Sequence, residues 1–339
     1  MGQLTAPLGA LLRHRLVQTA LGLGIGIALL WLAFARTDVA GLGRRLAQVE
    51  PAWLVLALLC YGTALAIRSW RWRIILAPVR KLTFWQVYHS LIVGYAANNV
   101  LPARLGELLR ADYLGRRYGI SRLSVIGTIV VERLFDVVVF VGFILAGLAT
   151  LHGRPDARVL PILHAAEIVG AGCVLLAFGL FIVLRLKHKA LPAAFSFLEE
   201  RIRSLADGLH LVTGIQEVAI LAAATAVVWT ADSTSTWLLC RALGVNPGLD
   251  ELLLIMGMSC LAALIPAAPA NIGALQYALV LAFQLLGYDA DAGFGLALLI
   301  QGCFVGSSTL AGGALYLIST LSGAAARAQG KPGASTGSS

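Results

Sequence analysis

PARLGELLRA at residues 102–111 and PANIGALQYA at residues 269–278 decide how this chain is read. The two decapeptides share Pro102/Pro269, Ala103/Ala270, Gly106/Gly273, Leu108/Leu275 and Ala111/Ala278. Alanine, leucine and glycine are common in the chain, but proline supplies only 11 of 339 residues, so its recurrence carries more weight. Each copy lies between apolar segments that are short for a membrane span. That pattern predicts a duplicated unit built around a broken helix, an arrangement more typical of membrane transporters than of soluble enzymes.

The composition agrees. The chain is 59% hydrophobic and 13% charged, against about 25% charged in an ordinary globular domain. An all-α polytopic membrane protein is expected, with six spans at residues 16–35, 52–67, 124–151, 165–185, 217–240 and 292–319. Around the decapeptides, residues 84–101 with 103–118 and residues 252–265 with 270–287 form two broken or re-entrant hairpins. The first breaks at Asn98-Asn99-Val100-Leu101-Pro102 and the second at IPAAPANIG. The expected organisation is one transmembrane domain over 1–323, with halves of about 1–160 and 161–323, and a disordered cytoplasmic tail over 324–339.

A net charge of +9 could mean nucleic acid, but the 26 basic residues gather beside the spans. Topology and anionic headgroups account for them. With a cytoplasmic N-terminus, Arg68, Arg71, Arg73, Arg80 and Lys81 read as a cytoplasmic loop, and the basic segment Arg104, Arg110, Arg116, Arg117 and Arg122 beyond residues 84–101 puts the other end of the first hairpin inside as well. Asp250, Glu251, Asp289 and Asp291 mark both ends of the second hairpin as outside. Entry from opposite faces is the signature of an inverted repeat, with a site where the breaks meet near the midplane. Arg13 and Arg15 before the first apolar run resemble a secretory signal, but the run's length favours a retained helix. A polar stretch, 186–216, reads as an interfacial amphipathic helix. Five cysteines are scattered singly, as small buried residues.

Charged residues at membrane depth cost at least about 2.5–3.5 kcal/mol each, so they should face a cavity or one another. Arg104, Glu107 and Arg110 follow at i, i+3 spacing along one side of a helix starting after Pro102, whose N-terminus favours an anionic headgroup. The alternative is an interfacial helix whose arginines snorkel to phosphates. Glu132 and Asp136 share a face of the next helix, beside Arg133, and need a cation between them, for which an arginine of the first hairpin is the candidate. A purely structural ion network is the competing reading. Asp232 sits among Thr230, Ser233, Thr234, Ser235 and Thr236, a polar cluster that lines the same cavity or makes interhelical contacts. Asp289-Ala290-Asp291 has the form of a metal-binding acidic pair. No catalytic residue, metal site or cofactor is assigned, for no phosphate-cradling glycine loop, nucleophile elbow or HExxH is present.

The segment NNVLPARLGELLRADYLGRRYGISRLSVIGTIVVERLFDVV resembles the lysylphosphatidylglycerol synthase transmembrane family, also called flippase-like or UPF0104. The resemblance rests on Leu101, Pro102, Arg104, Gly106, Glu107 and Arg110, then Gly119 and Ser121, then Glu132, Arg133 and Asp136, with Pro266, Pro269 and Gly273 in the second half. It implies a lipid-translocating membrane region without the soluble aminoacyl-transferase domain. Family members also include hopanoid-associated proteins and archaeal proteins linked to dolichol-phosphate sugar transfer. Where the family often has an acid after the second glycine block, this chain has Gln276. Where it often has a basic residue in the last span, this chain has Gln301. A weakly charged or polyol-bearing lipid, such as a hopanoid, is therefore favoured over a strongly ionic one.

The expected function is a bacterial inner-membrane lipid translocase. Its substrate-binding set is Asn99, Pro102, Arg104, Gly106, Glu107, Arg110, Glu132, Arg133, Asp136, Asp232, Pro269, Asn271, Gly273, Gln276 and Gln301. The expected partners are membrane lipids and lipid-synthesis enzymes, with no nucleic acid. The rivals are a membrane-embedded glycosyltransferase using a polyprenyl-phosphate sugar through Asp38, Asp289 or Asp291, and a non-catalytic scaffold for lipid-synthesis enzymes.

Overall fold

A computed structural model describes residues 21–101, 105–149, 168, 172, 215–265 and 268–329. The expected span at 165–185, apart from its helical residues 168 and 172, and the stretch 186–214 lie outside the described residues, as do Pro102, Arg104 and Pro266. Every regular element among the described residues is helical. They are α1 (Leu21–Phe34), α2 (Val39–Ala47), α3 (Pro51–Leu76), α4 (Phe84–Val100), α5 (Leu105–Tyr118), α6 (Arg122–Ala149), α7 (Ile215–Ala242), α8 (Leu249–Leu264), α9 (Ala274–Leu286), α10 (Ala290–Ile300) and α11 (Gly306–Gln329).

The chain is an all-α polytopic membrane protein. Among the described residues, four helices are long and apolar enough to span a bilayer: Pro51–Leu76, Gln216–Ala242, Pro269–Leu286 and Ala290–Leu321. A fifth candidate is the α1–α2 pair, bent by 87°. The bend follows from Asp38, whose carboxylate accepts hydrogen bonds from the backbone N–H groups of Ala40 and Gly41 and so starts α2 as a separate helix. The expected span at 124–151 forms as α6, 28 residues long, and is long enough to cross. It is set apart from the apolar spans by Glu132, Arg133 and Asp136.

Two expectations need correction. The second span does not end at residue 67: α3 runs for 26 residues to Leu76, about 39 Å of helix, and it carries Arg68, Arg71 and Arg73 along with it. Those arginines are not a loop. The last helix likewise continues to Gln329, so the tail expected from 324 begins as helix. Within it, residues Gln301–Val305 form one π-helical turn between α10 and α11.

Both hairpins form as broken helices. Thr83 caps α4 reciprocally with Gln86, and α4 ends at Leu101 before α5 folds back against it. In the second half, α8 stops at Ile265 and a 3₁₀ turn, Pro269–Asn271, precedes α9. Ala270 and Asn271 there have φ of 56° and 54°, and Gly273 has φ of 86°. Left-handed backbone costs a non-glycine residue about 1–2 kcal/mol, so neighbouring packing must hold this break.

The shared glycines of the two decapeptides have one physical cause. A Cβ on Gly106 would come within 2.5 Å of the Gly94 carbonyl oxygen and closer still to Asn98, closing the α4–α5 contact. A Cβ on Gly273 would come within 2.7 Å of the Gly26 carbonyl carbon on α1. At both breaks, glycine lets two backbones touch.

The helix α3 orders the two hairpins. Its first half, through Trp53, Leu54 and Ala57, packs in one core with Leu285, Leu286 and Tyr288 at the outer end of the second hairpin. Its second half, through Trp72, Ile75 and Leu76, packs in another core with Leu82, Val87, Tyr118 and Ile120 at the outer end of the first. The hairpin bases therefore lie at opposite ends of one spanning helix, and their tips meet between.

Candidate functional site

The tips meet at a cavity of about 570 Å³. The first hairpin contributes Asn98, Asn99 and Glu107, and the second contributes Ile265 and Ala268 through Asn271. Tyr61 and Arg68 from α3, Tyr95 from α4, Arg133 from α6 and Ser308 from α11 add further polar side chains to the lining. On α3, Tyr61 and Arg68 stand about 15 and 26 Å from the first residue, so the cavity lies at mid-depth of that helix.

Among the described residues an ion network of four arginines and four acids runs from this wall, where Arg68, Arg133 and Glu107 stand, into the protein behind it. Arg71 of α3 donates from Nη1 to Asp136 at 2.8 Å and to Thr225 of α7 at 2.7 Å, and from Nη2 to Glu132 at 3.1 Å. Arg110 of α5 donates to the other Glu132 oxygen at 3.2 Å and lies over the Trp72 ring at 3.3 Å. Arg133 pairs with Glu107 and with Asp136, each at 3.2 Å. Arg68 pairs with Asp232. The Trp229 indole donates to Asp136 at 3.2 Å, and its ring faces Arg68. Four positive and four negative side chains balance, as low-dielectric burial demands.

The requirement for a cation between Glu132 and Asp136 is met, but chiefly by Arg71 of α3. Arg110, the expected hairpin arginine, reaches Glu132 alone. It is only 1% exposed and faces Trp72, so it holds the network instead of contacting the cavity. Glu132 and Asp136, 1% and 3% exposed, are buried behind the wall in the same way. Of the predicted binding set, Asn99, Glu107, Arg133, Pro269 and Asn271 line the cavity. The Asn99 amide is fixed by donating to Ser308 and Thr309 of α11 at 3.0 and 2.9 Å.

The remaining predicted residues divide by role. Gly106 and Gly273 set backbone contacts. Asp232 joins the network through Arg68, but its polar neighbours do not line the cavity. Thr230, Thr234 and Ser235 return their hydroxyl hydrogens to the carbonyls of their own helix, while Thr230, Ser233 and Thr234 border a separate groove with Phe143 and Trp237. Gln276 and Gln301 meet directly: Gln276 accepts from the Gly273 N–H at 2.8 Å and donates to Gln301 at 2.7 Å, and Gln301 donates to the Ala270 carbonyl at 3.2 Å. These two amides clasp the left-handed break.

The acidic pair Asp289 and Asp291 is engaged by Arg45 of α2 at 2.6 and 2.8 Å. With Asp38, Arg36 and Arg44 it borders a polar cleft. Among the described residues no group of three His, Cys, Asp or Glu side chains is gathered as for a metal ion.

The model of the lysylphosphatidylglycerol synthase transmembrane region matches residues 19–312. The chain belongs to this family. Among its relatives in this flippase-like, UPF0104 group, a UPF0104 membrane protein of Pyrococcus horikoshii is 23% identical over 323 residues, covering 88% of this chain and 95% of that one. A UPF0104 membrane protein of Methanocaldococcus jannaschii is 24% identical over 231 residues, covering 65% and 93%. The glycosyltransferase AglD of Haloferax volcanii is 24% identical over 335 residues, covering 87% of this chain and 53% of AglD. No solved structure matches the chain. The family match spans both hairpins and the charged helix between them.

Proposed function

We propose that this member of the family is a lipid translocase of the bacterial inner membrane, with both termini cytoplasmic. A lipid headgroup enters the central cavity between the hairpin tips and passes from one leaflet to the other. The observation that carries this reading is the cavity itself: polar and charged side chains at mid-depth of a spanning helix, reached by broken helices from both ends. Arg133 and Glu107, about a quarter exposed, offer a donor and an acceptor to the headgroup, while Asn98, Asn99 and Asn271 offer neutral polar groups. This set suits a polar or anionic lipid, hydroxyl-rich headgroups such as a hopanoid's included. The sequence carries a further cation, Arg104, just after the first break. Movement is passive or coupled to an ion, and lipid-synthesis enzymes are the natural partners.

Liposomes carrying chain-labelled fluorescent phosphatidylglycerol test the reading by dithionite quenching. Protein-containing vesicles should expose inner-leaflet label much faster than empty ones. Equal quenching in both overturns the proposal.

The likeness to AglD supports a second reading, glycosyl transfer from a polyprenyl-phosphate sugar at the cleft of Asp38, Asp289 and Asp291. Product formation by the purified protein, abolished by Asp291→Ala, would establish it. The engagement of both acids by Arg45 favours a structural role for them.

A further inference from the structure

The second break separates two spaces. On one side, Ala270 and Asn271 line the central cavity. On the other, the very next residue, Ile272, faces a groove of about 520 Å³ between α1 and α10 whose walls include Leu30, Trp31, Phe34, Phe294 and Leu298. Trp31 and Ile272 are 68% and 42% exposed, so the groove opens toward the bilayer. The wall between the spaces is one backbone segment with two left-handed non-glycine residues, seated on Gly26 of α1.

Among the described residues that line the groove, the side-chain amides are those of Gln276 and Gln301, and the rest are aliphatic or aromatic. Three hydrogen bonds tie them to Gly273, to one another and to Ala270, so their amides are satisfied within the wall. A neutral, internally paired floor under aliphatic and aromatic walls suits hydrocarbon. It would be a poor seat for a charged group, whose desolvation nothing there offsets.

We propose that this groove holds a hydrocarbon chain of the same lipid whose headgroup occupies the central cavity, the molecule straddling the Pro269–Gly273 break clasped by Gln276 and Gln301. The inference rests on the translocase reading above. It adds a second binding site, for an acyl or polycyclic hydrocarbon tail, and makes the Gln276–Gln301 pair a positioning element for the wall between them. Adjacency decides the occupant: residues 270 and 271 line the polar space and residue 272 the apolar one, so a lipid with its head in the first can lay its tail over the break into the second.

Thermal unfolding of the full chain held in amphipol, whose short alkyl chains are tethered to the polymer and common to every sample, tests this with two probes that share a headgroup. Long-chain phosphatidylglycerol should raise Tm by about 3 °C more than water-soluble dihexanoyl phosphatidylglycerol. Leu298→Trp, which fills the groove, should erase that difference and leave the short-chain shift intact. Ile27→Trp, at a second residue that lines the groove and is 67% exposed, should do the same if Leu298→Trp fails to fold. Equal shifts by both lipids, or a long-chain increment that survives the folded tryptophan variants, overturn the tail site while leaving the headgroup site standing. No shift by either lipid removes the headgroup site and this inference together.

Discussion

Arg71 on α3 holds Asp136 on α6 at 2.8 Å, and the same guanidinium reaches Glu132 one turn earlier on α6. The two acids occupy one helix face and would repel each other in a low-dielectric setting. Arg71 makes that face possible and ties α3, α6 and α7 into one block through Thr225.

Removing Arg71 should therefore damage the fold before it damages any transport step. Arg71→Ala leaves two buried carboxylates short of a partner, and breaking such a pair costs about 3–5 kcal/mol. Thermal unfolding in detergent should show a large drop in Tm. Arg71→Lys should recover only part, since one ammonium cannot reproduce the forked contacts. A Tm within about 1 °C of wild type for Arg71→Ala would mean the network contributes nothing.

At the two breaks, Gly273→Ala should be more harmful than Gly106→Ala. Both bring a Cβ into a backbone contact, but Gly273 also has φ of 86°, adding at least about 1 kcal/mol of left-handed strain. Folded yield and unfolding temperature of the two variants give the comparison. Equal, small losses would show that neither helix contact is as close as described.

Asp291→Asn should cost about 1–3 kcal/mol: Asp291 is buried, at 7% exposure, but the amide oxygen still accepts from Arg45, which also keeps Asp289. Lipid movement by this variant should be within twofold of wild type. A complete loss would move the active chemistry to this cleft and support the glycosyltransferase reading.

Much of this arrangement was legible in the sequence, for reasons that can be named. The prolines and glycines of the two decapeptides mark the breaks because proline ends a helix and glycine permits backbone contact. Glu132 and Asp136 announced a missing cation by their spacing alone. Arg68 and Arg71 mislead: they follow an apolar run, as loop charges do, and so read as topology signals. Their i, i+3 spacing, with Trp72 beside them, was the available signal. So was the bookkeeping of charge, since Asp232 had no assigned cation and needed one. Hydroxyls misled in the opposite sense, because Thr230, Thr234 and Ser235 satisfy themselves on their own helix and need no cavity. Contact between Gln276 and Gln301, 25 residues apart, requires the fold itself.

The most direct test of the account is the rate of phosphatidylglycerol flipping in liposomes containing wild type, Arg133→Ala, Glu107→Gln or, as an exposed control, Arg116→Ala. Wild type and Arg116→Ala should accelerate flipping, with at least a tenfold loss in the two cavity variants, a difference of about 1.4 kcal/mol in barrier height. If folded Arg133→Ala and Glu107→Gln flip lipid as fast as wild type, the central cavity is not the path.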